Sequence, residues 1–380
     1  MSYSGGMRIA YCISTLALGG AERQTLLLAE QMRSRGHIVL LVVLFAAQDA
    51  ELETSLPALR LNQPRSLRGM LRALRLAGPF LQAFQPEILH SHTYPANLFA
   101  RLLRLPEASP RVVHTFHNVS EGGWLRMLLY RLTRRRMHAA TAVSEAVRER
   151  MLQVGAATEL EWIPNAIDLS RLTVESEQRA QLRTEFAAGD GFVWIAVGRM
   201  ARAKDYPNLL RAFARVHERH PDSRLWIVGG VAEDRHARSN HAIFARASKE
   251  PGVLALGMRF DVPALLFAAD GFVMASAWEG APLALGEAMA MQLPIVATDV
   301  GGVREMLEDT GSLVPAGDSE ALAEAMLKCM QRQMHADPSH AANVARRARA
   351  RVEQQYAPDR IAALWEEFYT RVLRAEKADA

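Results

Sequence analysis

The first chemical signal lies in the second half of the chain. Val197-Gly198-Arg199 ends an apolar run, and Lys204 follows five residues after the arginine, just before an amphipathic segment from Tyr206 to Val216. A planar guanidinium and a compact ammonium in one loop suit a diphosphate, which carries charge on both phosphoryl groups. An exposed loop with stray cations is the plainer alternative, since Arg202 stands in the same loop. Further on, Ser276-Ala277-Trp278-Glu279-Gly280-Ala281-Pro282 leads into an apolar stretch, Leu283 to Met291, with Glu287 inside it. Proline near the first helical position, with glycine before it, predicts a helix N-terminus whose amides can receive a phosphate. Glu287, deeper on that helix, can accept two hydrogen bonds from a ribose cis-diol, and Glu279 on the loop can reach hydroxyls of an attached sugar. Two glutamates at this spacing also arise by chance; their place after a strand and around a helix start gives them weight.

The first half is less specific. Leu18-Gly19-Gly20-Ala21-Glu22-Arg23 follows the first apolar run and opens a helix. Paired glycines let backbone amides approach a phosphate, or they only make the turn. The spacing departs from the three-glycine dinucleotide fingerprint, which argues against hydride transfer. His90 and His92 end a strand, and His92 with Asn97 reads either as lining an acceptor or as structural. His37 reads as a turn residue, His114 as facing away from the side that His117 serves, and Ser144 as a helix N-cap. Neither a nucleophilic serine elbow nor a cluster of metal-ligand spacing occurs, so no metal site is expected.

These residues need elements to position them. Arg8 to Ile13, Ile38 to Phe45, Glu87 to His90, Arg111 to Phe116 and Ala139 to Val143 read as strands separated by helices. After an irregular polar stretch from Asp168 to Asp190 the alternation restarts with Phe192 to Val197, Arg224 to Val228, Val253 to Leu256, Gly271 to Ala275 and Pro294 to Thr298. Alternation of this kind predicts parallel βαβ units, here in two α/β doubly wound domains whose ligands sit at strand carboxyl ends, in the cleft where the domains face each other. Ile361, Leu364, Trp365, Phe368, Tyr369 and Val372 mark a last amphipathic helix in need of a surface.

Composition sets the outer limits. A chain of 380 residues, 49% hydrophobic and 23% charged, fits two ordinary globular cores. Its 2 cysteines, Cys12 and Cys329, give no disulfide framework. With no signal-peptide pattern and no apolar stretch long enough to span a bilayer, a cytoplasmic location is expected. Residues 1–170 hold 19 Arg, no Lys and 13 acids, whereas the whole chain is only +4. The excess gathers at Arg65, Arg68, Arg72 and Arg75 and again at Arg126, Arg131, Arg134, Arg135 and Arg136, among Leu, Met, Trp and Tyr. Such helices suit the inner face of an anionic plasma membrane, or are merely solvated faces. No nucleic-acid reading motif accompanies them.

The ordered set Gly19-Gly20-Ala21-Glu22, His117, Ile163-Pro164-Asn165, Gly198-Arg199 with Lys204, Gly257-Met258-Arg259 with Asp261, Glu279-Gly280 with Pro282, Glu287-Ala288-Met289-Ala290 and Gly301-Gly302 with Glu305 resembles glycosyltransferase family 4 over nearly the whole chain. The resemblance implies the GT-B fold, two Rossmann-like domains facing a central cleft. The acceptor-side domain is expected over residues 1–170, with segment 357–380 packing back on it, and the nucleotide-sugar-binding domain over 171–356. It also implies a retaining transferase of polysaccharide or lipopolysaccharide synthesis, using a UDP- or GDP-sugar and a glycan or lipid-linked acceptor. By the same resemblance Gly19-Gly20 lie by the diphosphate and acceptor, His117 touches the donor sugar, and Arg199 and Lys204 hold the diphosphate. Glu279 meets the sugar, Glu287 the ribose, and Met258-Arg259 the base. The helix-terminal N–H groups of Gly280, Ala281 and Leu283, at the start that Pro282 shapes, would help stabilise the leaving group without metal or cofactor, and no Asp-x-Asp pair occurs.

Ala166, Ala281 and Gln292 depart from the family pattern, so the choice of sugar and acceptor transfers least safely. The alternatives are a sugar-nucleotide epimerase on the same fold and a non-catalytic nucleotide-sugar-binding subunit.

Overall fold

The computed structural model describes residues 6–47, 51–105, 109–120, 122–234, 236–335 and 338–378. The chain divides into two compact units, Met1–Ala166 together with Pro358–Ala380, and Ile167–Ala357.

In the first unit the strands are β1 (Arg8–Ile13), β2 (Ile38–Phe45), β3 (Ala58–Gln63), β4 (Ile88–His92), β5 (Arg111–Phe116), β6 (Ala139–Ala142) and β7 (Glu161–Trp162). Among the described residues they form a seven-stranded sheet in the order β3-β2-β1-β4-β5-β6-β7, parallel throughout. Along β1, Ile9, Tyr11 and Ile13 enter one core while Ala10 and Cys12 enter the other. A strand covered on both faces must be apolar on both, which is why it reads as a continuous run. The helix Pro358–Ala378 closes the first of these cores with Ile361, Trp365, Phe368 and Tyr369, each large side chain contributing roughly 1.5–3 kcal/mol on full burial.

The second unit holds β8 (Val193–Val197), β9 (Arg224–Val228), β10 (Val253–Gly257), β11 (Gly271–Met274), β12 (Ile295–Thr298) and β13 (Ser312–Val314). Their order is β10-β9-β8-β11-β12-β13, again parallel. Val193 and Ile195 face one core, Trp194 and Ala196 the other. Each sheet reverses its winding once, between β1 and β4 and between β8 and β11. Loops leaving the strands at such a point diverge, and ligands of doubly wound sheets bind there. Each unit is a doubly wound, Rossmann-like α/β domain.

The polar stretch expected to be irregular contains a helix, Ser176–Glu185, in which only Leu182 is buried. Its hold is electrostatic: Arg179 and Arg183 converge on Asp270, at 2.5 and 2.8 Å, just before β11.

Candidate functional site

In the second unit the loops after β8 and β11 leave the reversal point and are tied together, the Ala277 N–H donating to the Ala203 carbonyl at 2.8 Å. Lys204 Nζ donates to Glu279 Oε1 at 2.6 Å, and Ser276 Oγ donates to the same oxygen at 2.6 Å. Thr298, at the end of β12, donates to the Ser276 carbonyl at 2.7 Å. Glu279 is 8% exposed. A carboxylate so covered needs partners, and an ammonium and a hydroxyl supply them. Tyr206 donates its hydroxyl to the Gly198 carbonyl at 2.5 Å, fixing the start of the cation loop.

The Gly301-Gly302 pair braces this arrangement. Gly301 has φ +54°, and a Cβ there would lie 2.0 Å from the Glu279 carbonyl oxygen, so no side chain is tolerated without moving the Glu279 loop. Gly302 N–H donates to the Gly280 carbonyl at 2.8 Å. The loop then runs through Ala281 to Pro282, the uncapped start of the helix Leu283–Ala290, with Glu287 half-buried in its second turn. The structure therefore gathers Gly198, Lys204, Glu279, Gly280 and the Leu283 helix start. Arg199 belongs to the same loop with its side chain exposed, as is Arg202.

After β10, Arg259 grips Asp261 through Nε–Oδ1 at 2.8 Å and Nη2–Oδ2 at 2.6 Å. This fork raises the guanidinium pKa and, through the same hydrogen bonds, lowers that of the carboxylate. Met258 lies against Gly230, where a Cβ would stand 3.1 Å from its Cε. Neighbouring Phe260, 69% exposed, is a flat apolar surface on the same loop.

The first unit presents a different chemistry. Gly19 caps the helix Gly20–Ser34 without a side-chain bond, and Glu22 folds back over it, since a Cβ on Gly19 would meet Glu22 Oε2 at 2.2 Å. A carboxylate at the third helical position suits the helix start itself. It also places a negative charge beside the glycine pair. The ends of β4 and β5 carry four histidines. His90 Nδ1 lies 2.7 Å from the Tyr369 hydroxyl and its Nε2 2.8 Å from Thr115 Oγ1. His92 Nδ1 lies 3.0 Å from His117 Nε2. His114 turns to the other face, its Nδ1 2.9 Å from the Ser91 carbonyl and its ring against Phe116. Burial lowers the pKa of His90, His92 and His114, with neighbouring histidines adding to it, and burial holds His117 at about 4. A small pocket lies here, lined by Gln24, His92, Thr115, His117, Asn165 and Trp365 among others. Gln24 clamps the Ala166 backbone from both sides, at 2.7 and 2.8 Å.

Asn97 does not join the histidines. Its Oδ1 accepts from Arg101 Nε at 2.8 Å, and Arg101, 1% exposed, also donates to the Tyr130 carbonyl at 3.0 Å. His37 accepts from the Met7 N–H at 3.0 Å, a structural bond at the turn into β2, and Ser144 accepts from the Val147 N–H as an N-cap. Ser276, Tyr206, Gln24 and Phe260 were not singled out from sequence. Ser276, three residues before Glu279, carried the one readable signal, a hydroxyl within a turn of a buried acid.

Two family models match the chain in tandem, Glycosyltransferase Family 4 over residues 18–171 and Glycosyl transferases group 1 over residues 191–332. The chain is 31% identical over 255 residues to the GDP-mannose-dependent α-(1-6)-phosphatidylinositol monomannoside mannosyltransferase of Mycolicibacterium smegmatis, covering 61% of this chain and 63% of that one. It is 25% identical over 260 residues to the UDP-Gal:α-D-GlcNAc-diphosphoundecaprenol α-1,3-galactosyltransferase of Escherichia coli, covering 64% and 66%. The matches thus span just under two thirds of these relatives. In fold the chain is similar to Anabaena HepE, whose crystal structure holds UDP and glucose, with a TM-score of 0.81 at 22% identity over 96% of this chain and 100% of that one.

Proposed function

The chain belongs to the family 4 glycosyltransferases, and from that premise we propose that it moves a sugar, with retention of anomeric configuration, from a UDP- or GDP-sugar to a glycan or lipid-linked acceptor of an envelope polysaccharide. The observation that carries this reading is the Lys204–Glu279 pair, bound by Ser276 and braced by Gly301 at the reversal point of the second sheet. An ammonium has three donors, so Lys204 can keep Glu279 and still hold a diphosphate oxygen. Glu279 Oε1 already takes two hydrogen bonds, which leaves Oε2 for a sugar hydroxyl. Arg199 is exposed and able to turn its fork onto the second phosphoryl group. Glu287 takes the ribose hydroxyls, the amides from Gly280 to Leu283 face the phosphates, and Met258 and Arg259 flank the base.

The leaving diphosphate gains charge as the glycosidic bond breaks, so these donors act most strongly in the transition state. The acceptor hydroxyl then attacks from the face the diphosphate vacates and passes its proton to a phosphate oxygen. No protein nucleophile is needed, and organic cations do the work a metal ion does elsewhere. His117 contacts the donor sugar as a neutral ring. Relatives named for GDP-mannose and for UDP-galactose support a nucleotide-sugar donor without deciding its base.

Peripheral contact with an anionic membrane on the cytoplasmic side completes the proposal. Trp124, Leu125, Leu128 and Leu132 are exposed along one stripe of the helix Trp124–Thr133, with Trp124 at 77%, and Arg134, Arg135 and Arg136 follow it. An apolar stripe beside cations is the pattern of an interfacial helix.

A screen of UDP-, GDP- and ADP-sugars with lipid-linked acceptors tests the whole reading. One donor is expected to release its nucleoside diphosphate and give a larger acceptor of retained configuration. A free altered sugar, or binding without turnover, would contradict it.

A further inference from the structure

The bond between His92 and His117 has a direction. Burial keeps both rings neutral, so the 3.0 Å contact between His92 Nδ1 and His117 Nε2 holds a single proton. His92 Nε2 is buried with no partner among the described residues. If His117 donated, His92 would have to carry its own proton on Nε2, an orphaned N–H inside the protein. If His92 donates, the orphan is only a bare lone pair. Buried N–H groups without acceptors are the rarer and costlier state.

The surroundings fix the ring that makes the choice. His92 packs against His90 with centroids 4.1 Å apart and lies 6.1 Å from the Tyr11 ring, while His90 is pinned between Tyr369 and Thr115. His117 itself is only half-buried and lines the pocket shared with Gln24, Thr115 and Asn165. Its Nδ1 is not among the sealed, unpartnered nitrogens.

We infer that His92 is a positioning residue: its Nδ1–H holds His117 in the Nδ1-protonated tautomer, so that His117 offers an N–H donor, not a lone pair, to an oxygen of the ligand. This rests on the proposal that His117 meets the donor sugar. It adds a chemical direction, because the group recognised must be an acceptor oxygen and His117 does not act as a base.

The test uses the full chain with 15N-labelled histidine, the His117 signals being assigned by their loss in His117→Gln. Two-bond 1H–15N spectra should show His117 protonated on Nδ1 in the wild type. In His92→Phe, which keeps a ring but no donor, His117 should move to the Nε2 tautomer that water favours, with turnover falling roughly 10- to 100-fold, the range for losing an orienting partner. His92→Asn keeps an N–H near the Nδ1 position and should restore both the tautomer and most of the turnover. A wild-type His117 protonated on Nε2 would overturn the inference, as would an unchanged tautomer in His92→Phe. If instead the tautomer shifts as expected but His117→Gln turns over normally, the inference about the bond stands and the sugar-contact role of His117 fails.

Discussion

The two units solve one geometric problem with opposite chemistry. In each, a parallel sheet reverses its winding once, and a short hydrogen bond joins the loops that leave the reversal point: Ser14 Oγ to Thr93 Oγ1 at 2.5 Å in the first, Ala277 N–H to the Ala203 carbonyl at 2.8 Å in the second. Around that shared frame the first unit places neutral histidines among aromatic rings, and the second places an ammonium, a carboxylate and a hydroxyl. Neutral donors and acceptors suit hydroxyls, whereas fixed charges suit a diphosphate that gains charge during reaction. The scaffold sets where ligands go, and the side chains set which.

Breaking the charged half should cost most. Lys204→Ala strips Glu279 of its ion pair and removes the cation proposed to hold the diphosphate, and a loss of roughly 100-fold or more in kcat is expected for a preorganised charged donor. Arg199→Ala should behave similarly, with Arg199→Lys rescuing only in part because a point charge lacks the planar fork. Retained turnover in folded variants at saturating donor would place the diphosphate elsewhere.

Acid should strike the other half. Histidines held neutral by burial bind fewer protons folded than unfolded, so stability is full above the unfolded pKa near 6.5 and falls as the pH drops below it. His117 alone, lowered to about 4, accounts for roughly 3 kcal/mol across that window at 1.36 kcal/mol per unit. Thermal melts followed by hydrogen exchange from pH 7.5 to 4.5 should show amides of β4 and β5 losing protection before those of β8 and β11. The reverse order would break the contrast.

The strands that could be read in the sequence were those buried on both faces, such as β1, β2 and β9, because they are continuous apolar runs. β3 and β13 were not legible: β3 is a half-exposed edge with Arg60, Asn62 and Gln63, and β13 has three residues. The Ser176–Glu185 helix was hidden because its anchor is Asp270, far away in sequence. Within the site, loop position after a strand pointed to Lys204 and Glu279, but not to the contact between them. Glu22 over Gly19 was equally invisible, since the same Gly-Gly spacing serves a phosphate loop or a plain turn. The His92–His117 bond joins residues 25 apart, at the end of β4 and just past the end of β5, and nothing local announces it.

Smaller effects sharpen the picture. Glu287→Gln should weaken nucleotide binding by roughly 10-fold or more, in line with about 1.5–3 kcal/mol for a hydrogen bond to a charged group; unchanged affinity in calorimetry would remove the ribose assignment. Liposome flotation should favour anionic over neutral vesicles and weaken at high salt, each arginine near the surface contributing about 1 kcal/mol. Trp124→Ala with Leu132→Ala should reduce recovery at low salt, and equal recovery with neutral vesicles would leave this helix without a membrane role.

The central claim is that the second unit holds a nucleoside diphosphate through its cation loop. Calorimetric titration of UDP, GDP and ADP into the full chain tests it most directly, with Arg199→Ala and Arg202→Ala compared in parallel. One of the three nucleotides should bind the wild type, Arg199→Ala should weaken it by roughly 10-fold or more as expected for a lost charge-assisted contact, and Arg202→Ala should bind it as the wild type does. Binding undiminished in Arg199→Ala, or equal losses in both variants, would contradict the site.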